Sequence, residues 1–89
     1  MKRAHIYIYG DVINVGFRAW TVRNAEKLGL KGWVRNFDER TVEAIFEGGE
    51  GKVKEMIELC RRGPEVSWVE KMEVKWEEVE EEFENFEIR

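Results

Sequence analysis

Apolar and polar residues alternate along several short stretches of this chain and recur at helical spacing along two others. Residues 4–9 alternate between two faces and contain β-branched and aromatic side chains, which predicts a first strand that ends at Gly10. Residues 17–30 place apolar side chains on one side at helical spacing, and Gly29 is a typical stop signal of a helix. The chain is therefore expected to open with a strand and a helix.

A hairpin and a second helix are predicted for the middle of the chain. Residues 32–37 and 41–47 read as two short strands, and the polar residues 38–40 between them indicate a tight loop. Residues 51–62 carry apolar side chains at positions i, i+3, i+4 and i+7, the spacing of an amphipathic helix. The Gly-Pro pair at residues 63–64 is expected to end that helix, because proline cannot continue it.

A long strand and a short one are predicted for the last part of the chain. Over residues 66–76 apolar residues at even positions alternate with charged ones, which is typical of a half-buried strand. The apolar positions are Val66, Trp68, Met72, Val74 and Trp76. Phe86 and Ile88 indicate a last short strand, and the acidic run before it indicates a solvated loop. That run contains Glu77, Glu78, Glu80, Glu81 and Glu82.

The predicted order of elements is strand, helix, strand, strand, helix, strand, with a terminal strand added. The two halves repeat a strand–helix–strand unit, as in the ferredoxin-like βαββαβ sandwich. Each helix has a single apolar stripe, so both helices are expected to cover one face of an antiparallel sheet. No linker interrupts the pattern, and residues 1–89 are expected to form a single α+β domain.

Charge separates the two halves of the chain. The 89 residues include 15 Lys or Arg and 19 Asp or Glu, which gives a net charge of −4. Residues 1–40 contain eight basic and four acidic residues, a net of +4, whereas residues 41–89 contain seven and fifteen, a net of −8. An anion site, if the chain has one, is therefore expected in the first half, and the overall acidity argues against nucleic acid as a partner.

The remaining composition excludes several classes of protein. With 43% apolar residues the chain is not a disordered one, and no apolar run approaches the ~20 residues of a membrane span. The N-terminus lacks the pattern of a signal peptide, which predicts a cytoplasmic protein without a membrane partner. The single cysteine, Cys60, cannot form an internal disulfide. A single histidine, His5, argues against a zinc site, and we expect His5 to have a structural role. The lack of Gln and the scarcity of Ser and Thr are typical of a thermophilic host.

The turn between the first strand and the first helix, residues 10–18, is the most informative segment for function. The N-terminus of a helix exposes unpaired backbone N–H groups and the positive end of its dipole, so a loop folded over it can surround an anion. Asn14 and Gly16 tolerate the backbone angles that a concave nest of N–H groups needs, and Arg18 would lie beside it. From these residues alone the segment is either a phosphate cradle or an ordinary turn. The patterns GxxxxGK[ST] and GxGxxG are absent.

A second candidate is Asn36, near the end of the second predicted strand. Asparagine favours turns, so this residue either opens the following loop or faces a ligand. Spacing along the sequence does not indicate where Asn36 lies relative to Arg18.

Several segments of the chain resemble the acylphosphatase family. The family's first motif, G-x-V-Q-G-V-x-F-R, is similar to residues 10–18, which read GDVINVGFR. Its second motif is similar to residues 32–36 followed by residues 41–43, which read GWVRN and TVE. Further likeness lies in residues 27–31, 61–64 and 86–89. The resemblance therefore covers nearly the whole chain.

This resemblance implies a ferredoxin-like enzyme that hydrolyses acyl phosphates to a carboxylate and inorganic phosphate, without a metal or a cofactor. Arg18 matches the family's phosphate-binding arginine, whose guanidinium suits two phosphoryl oxygens. Backbone N–H groups of the loop would hold the remaining oxygens, or those of a product-like phosphate or sulfate ion. The loop residues are Asn14, Val15, Gly16, Phe17 and Arg18. Asn36 matches the asparagine that positions the attacking water.

The first motif departs from the family pattern at three positions. Ile13 and Asn14 stand in place of Gln and Gly, and Asp11 stands in place of the usual basic residue. Asparagine is the mildest replacement for glycine where φ is positive, although its Cβ narrows the cradle. A carboxylate at Asp11 would oppose an anionic substrate if it lay at the mouth of the site. The alternative to an active acylphosphatase is therefore a catalytically weak relative that acts as an anion-binding or protein-interaction module.

RNA binding by an exposed ferredoxin-like sheet is a third class, for which Tyr7, Tyr9 and Trp33 are the candidate stacking residues. The net charge of −4 and the missing aromatic-glycine signature of that RNA-binding fold argue against it. A small acyl phosphate, the ligand that the resemblance to acylphosphatases implies, stays the leading expectation.

Overall fold

The computed structural model describes residues 1–78 and 83–89. Strand β1 spans Lys2–Asp11, helix α1 Phe17–Lys27, strand β2 Lys31–Asp38 and strand β3 Thr41–Gly48. Helix α2 spans Glu50–Arg62, strand β4 Trp68–Glu78 and strand β5 Phe86–Ile88. The predicted order of elements is confirmed. Of the acidic run predicted as a loop, Glu77 and Glu78 belong to β4, and Glu80, Glu81 and Glu82 lie outside the described residues.

The strands form one sheet in the order β4-β1-β3-β2-β5. Strand β1 pairs antiparallel with β3 and β4, and β2 pairs antiparallel with β3, which gives the ferredoxin-like arrangement. Strand β5 pairs with β2 in parallel, so the sheet is mixed rather than wholly antiparallel. Because β4 and β2 run in opposite directions, a strand that reverses after β4 and reaches the β2 edge must run parallel to β2.

The core lies between the sheet and the two helices. Strand β1 buries alternate residues there, and Ala4, Ile6 and Ile8 are fully enclosed. Helix α2 lies against β1, β3 and β4, and helix α1 lies against β2 and β5. Helix α1 is thereby placed so that its first turn meets the edge of the sheet formed by β2 and β5.

Helix α1 begins directly after Gly16 and ends before Gly29, whose φ of 70° confirms the predicted stop signal. Its buried side chains are Phe17, Thr21 and Ala25. The inward threonine was not part of the predicted apolar stripe. It is tolerated because its hydroxyl donates a hydrogen bond to the carbonyl oxygen of Phe17 at 2.8 Å, which satisfies the buried polar group.

Strand β4 differs from the prediction at its start. Its register against β1 shifts at Glu70, which lies opposite no residue of β1. Such a bulge reverses the alternation of faces along a strand. Met72 and Val74 pack against the core as predicted, whereas Trp68 is 66% exposed and Val66 precedes the strand in an exposed turn. The placement of Trp68 and Val66 on the half-buried face is therefore wrong.

No helix within residues 1–78 or 83–89 combines the length and the apolar character needed to cross a membrane.

Candidate active site

A pocket of about 160 Å³ lies where the loop between β1 and α1 meets β2 and β5. Its lining residues are Val12, Asn14, Gly16, Phe17, Arg18, Ala19, Asn36 and Ile88. Arg18 and Asn36, whose relative position the sequence does not give, thus line the same small pocket. Four of the five predicted loop residues line it as well, and the exception is Val15.

The loop between β1 and α1 is anchored by its apolar side chains. Val12 and Phe17, on either side of it, are each 1% exposed, and Ile13 and Val15 pack against the core. Val15 therefore has only its backbone to offer to a ligand. Packing of these apolar side chains favours one loop conformation, and an anion cradle requires such preorganisation.

Two loop residues adopt left-handed backbone conformations. Asn14 has a φ of 62°, and Gly16, the N-cap of α1, has a φ of 76°. Left-handed residues close to right-handed ones turn successive N–H groups toward a common concavity. Asparagine reaches this region more readily than other residues with a Cβ, so the sequence accommodates the substitution at Asn14. Gly16 has no side chain to cap α1, so the cap leaves the first N–H groups of the helix to other partners.

Arg18 lies in the first turn of α1 and is half-buried. In the part of the chain that the structure describes, its guanidinium forms no ion pair and no hydrogen bond. Arg35 and Arg40, by contrast, are each paired with carboxylates. A half-buried arginine at the N-terminus of a helix, with no carboxylate beside it, provides a concentrated positive charge for an anion.

Asn36 lies on β2 opposite Val42 of β3 and is exposed at the end of the helix-covered face. The register between β2 and β3 shifts immediately after it, between Asn36 and Asp38. Asn36 does not open the loop between β2 and β3, because it lies within β2 and Asp38 opens that loop instead. The carboxylate of Asp38 accepts a hydrogen bond from the backbone N–H of Arg40 at 2.9 Å. That bond, with others from Thr41, lowers the pKa of Asp38.

The charge introduced at Asp11 lies outside the pocket. Its carboxylate is 68% exposed and forms an ion pair of 3.2 Å with Arg40, which also pairs with Glu70 at 2.9 Å. Asp11 is the last residue of β1, before the loop turns toward the helix N-terminus. The predicted opposition between this carboxylate and an anionic ligand is therefore reduced by a neighbouring positive charge and by solvent.

The open face of the sheet, on the side away from the helices, carries a separate polar cluster around Glu43. This carboxylate is 3% exposed, and it lies 2.6 Å from Nε2 of His5 and accepts a hydrogen bond from Nε of Arg35 at 2.5 Å. Burial alone would raise the pKa of Glu43, but hydrogen bonds from His5, Arg35 and Tyr7 outweigh it and lower the pKa. His5 thus lies in this cluster and not in the pocket.

No group of three or more His, Cys, Asp or Glu side chains suited to a metal ion occurs among residues 1–78 and 83–89. The pocket itself contains a guanidinium, amides and apolar groups rather than metal ligands.

Three lining residues were not found from the sequence. Val12 and Ala19 line the pocket through the loop and the first turn of α1. Ile88 reaches it because β5 pairs with β2, and a pairing of three residues between sequence-distant strands leaves no periodic signal. The sequence predicts a short strand at Phe86 and Ile88 but not its position beside β2.

The fold and the pocket define a ferredoxin-like domain with a small anion-suited pocket at the N-terminus of its first helix. The family model of acylphosphatase matches residues 4–88. The chain is 48% identical over 87 residues to an acylphosphatase of Syntrophobacter fumaroxidans, covering 98% of this chain and 90% of that protein. It is 50% identical over 78 residues to an acylphosphatase of Thermococcus kodakarensis, covering 88% and 86%.

A solved structure of acylphosphatase from Bacillus subtilis has the same fold, with a TM-score of 0.95 at 32% identity over 100% of this chain and 99% of that one. The chain belongs to the acylphosphatase family, and the resemblance seen in its motifs is confirmed. It is accordingly a hydrolase of acyl phosphates.

Proposed function

We propose that the pocket holds the phosphoryl group of an acyl phosphate and that Arg18, Asn36 and the loop amides perform its hydrolysis. The observation that carries this proposal is that Arg18 and Asn36 line one small pocket beside the N-terminus of α1. A volume of about 160 Å³ is well below the ~300–1,000 Å³ of sites for drug-sized ligands. The pocket therefore suits a phosphoryl group and the atoms next to it.

Arg18 and the backbone N–H groups of residues 14–18 bind the phosphoryl oxygens. The guanidinium offers a planar pair of donors to two oxygens, and the amides at the helix N-terminus offer donors to the others. The transition state of phosphoryl transfer spreads negative charge over these oxygens. Donors fixed in advance around them therefore stabilise the transition state more than the substrate.

Asn36 orients the attacking water through its side-chain amide. A neutral amide is too weak a base to remove a proton, so the proton of the water passes to a phosphoryl oxygen. A bond forms between the water oxygen and phosphorus, and the bond between phosphorus and the acyl oxygen breaks with its electron pair on the carboxylate. A carboxylate is a stable leaving group, so positioning and charge stabilisation suffice without a general acid.

Full activity is favoured over the catalytically weak alternative by the way the three substitutions are accommodated. Asn14 already has the φ that the loop needs, and Ile13 packs against the core. Asp11 is paired with Arg40 outside the pocket lining.

Nucleic acid is not proposed as a partner of this chain. On the open face of the sheet the hydroxyl of Tyr9 donates to Glu73, and Tyr7 is hydrogen-bonded to buried Glu43, so a carboxylate lies at each tyrosine hydroxyl. Such acidic groups would repel a phosphate backbone. A cytoplasmic location stays a prediction from the missing signal-peptide pattern, and a thermophilic host stays a prediction from composition.

Hydrolysis of benzoyl phosphate by the purified chain and two variants tests the proposed roles. Arg18→Ala is expected to lower kcat/KM by about 10³-fold and Asn36→Ala by about 10²-fold, as for other groups that bind a transition state. Arg23→Ala is the matched control, because Arg23 is an exposed arginine of the same helix outside the pocket. Equal rates in all four proteins would contradict the proposed roles of Arg18 and Asn36.

A further inference from the structure

Ile88 is the large apolar residue at the rim of the pocket. Val12 and Phe17 also line the pocket but are almost fully buried, at 1% exposure each, so they form its floor. Ile88 is 45% exposed. One part of its side chain therefore borders the pocket and another part contacts solvent. The side chain thus lies between the pocket and the solvent.

Ile88 and Asn36 project from neighbouring strands on the same face of the sheet. Ile88 lies opposite Val34 in the parallel pair of β2 and β5, and Asn36 is the next residue of β2 on that face. Both side chains line the pocket. The water that Asn36 is proposed to hold would thus lie beside the side chain of Ile88.

The position of Ile88 is fixed on both sides along β5. Phe86 is 5% exposed and stacks on Phe46 with ring centroids 5.4 Å apart. The backbone N–H of Arg89 donates to the carbonyl oxygen of Val34 at 2.9 Å, and its guanidinium lies 5.4 Å from the ring centroid of Trp33. The contacts of Phe86 and Arg89 therefore hold Ile88 in place at the side of the pocket.

We infer that Ile88 is a positioning residue that confines the attacking water between Asn36 and the phosphoryl group. This inference rests on the proposed function of the pocket. An apolar side chain at this place offers the water no competing hydrogen bond and shields the amide from solvent on the side of β5. The water then has fewer partners that compete with Asn36 and the phosphoryl oxygens, which favours orientations suited to attack on phosphorus.

A second role for Ile88, contact with the acyl group, makes different kinetic predictions. If attack is in line, the leaving acyl oxygen lies across the phosphorus from the water, and so away from Asn36 and the neighbouring Ile88. Loss of the Ile88 side chain should therefore affect all acyl phosphates alike. A contact with the acyl group would instead alter the preference between a large and a small one.

Steady-state hydrolysis of benzoyl phosphate and acetyl phosphate by Ile88→Ala tests the inference. We expect kcat to fall about tenfold for both substrates, with KM and inhibition by inorganic phosphate changed by less than about twofold. Ile88→Val, which keeps a branched apolar side chain, is expected to restore most of the rate. Glu87→Ala is the matched control, because Glu87 lies on the same strand but outside the pocket lining.

The outcomes separate this inference from the proposed function beneath it. An unchanged kcat in Ile88→Ala, or a changed ratio between the two substrates, would overturn the role of Ile88 while leaving the function of the pocket intact. The same holds if Glu87→Ala lost as much activity as Ile88→Ala, since the effect would then come from the strand and not from the side chain. Absence of hydrolysis by the unaltered chain would overturn both.

Discussion

The polar side chains on the two faces of β2 differ in whether they have hydrogen-bond partners. On the open face Arg35 donates to Glu43, which is buried and also bonded to His5. On the other face, one residue along, Asn36 lines the pocket with Arg18, and neither side chain has a hydrogen-bond partner within residues 1–78 and 83–89. Polar groups that satisfy one another stabilise a fold, whereas polar groups left open around a pocket are available to a ligand. The contrast predicts that mutations on the two faces have different consequences.

Among substitutions that compare the two faces, the largest expected effect is on catalysis and comes from Arg18→Lys, which keeps the charge that Arg18→Ala removes. Lysine keeps the positive charge but loses the planar pair of donors, so it cannot hold two phosphoryl oxygens at once. We expect kcat/KM for benzoyl phosphate to fall at least about 10²-fold, with the free energy of unfolding unchanged within about 0.5 kcal/mol. Kinetics and denaturant unfolding of the same sample measure both. Near-normal activity in Arg18→Lys would show that charge alone suffices and would remove the bidentate role.

Glu43→Ala should give the reverse pattern. The substitution removes the acceptor shared by Arg35 and His5 and leaves a gap in the sheet face, so we expect a loss of about 2 kcal/mol in the free energy of unfolding. Both partners are partly exposed and can turn to water, which limits the loss. Activity at temperatures where the variant is folded should stay within about threefold of normal. A large loss of activity in the folded variant would show that the two faces are coupled.

Acid should weaken the Glu43 cluster before it affects the pocket. Because hydrogen bonds lower the pKa of Glu43 in the folded chain, its stabilising effect is complete above the ordinary glutamate pKa and declines as the pH falls through the lower folded value. The unfolding free energy of the chain should therefore fall more steeply below about pH 4 than that of Glu43→Gln. Urea unfolding of both proteins at several pH values measures this. Parallel curves would contradict the assignment of this acid sensitivity to Glu43.

The smallest expected effect is that of Asn14→Gly. Asn14 already adopts a φ of 62°, so restoring the family's glycine relieves little strain and changes the backbone little. We expect kcat/KM for benzoyl phosphate to change by less than about threefold, alone or combined with Ile13→Gln. A rise of tenfold or more would support the catalytically weak alternative, in which the substituted loop limits the rate.

Local patterns in the sequence were sufficient for most of the fold. Alternation located the strands, and helical spacing located both helices, because each element has one buried face that its own residues reveal. The start of β4 was mispredicted because a bulge at Glu70 depends on the pairing with β1 and not on the residues of β4 alone. The parallel pairing of β5 was likewise absent from the prediction, since a three-residue strand has no periodicity to read.

The candidate site also combines residues that the sequence indicates with residues that only the fold brings together. The loop residues from Asn14 to Arg18 form one continuous segment, so the sequence showed them as a possible anion site, and the resemblance to the family favoured that interpretation over an ordinary turn. Asn36 and Ile88 lie beside this loop because of the order of strands in the sheet. Spacing along the chain does not give that order. The ion pair between Asp11 and Arg40 likewise joins residues that are distant in sequence. The motif alone therefore did not show that a positive charge offsets the carboxylate of Asp11.

A crystal structure of the chain with phosphate bound would test the central claim most directly. We expect the ion in the pocket, with two oxygens on the guanidinium of Arg18, others on backbone N–H groups of residues 14–18, and the amide of Asn36 directed toward it. Phosphate bound elsewhere, or bound in the pocket without contact to Arg18, would contradict the account.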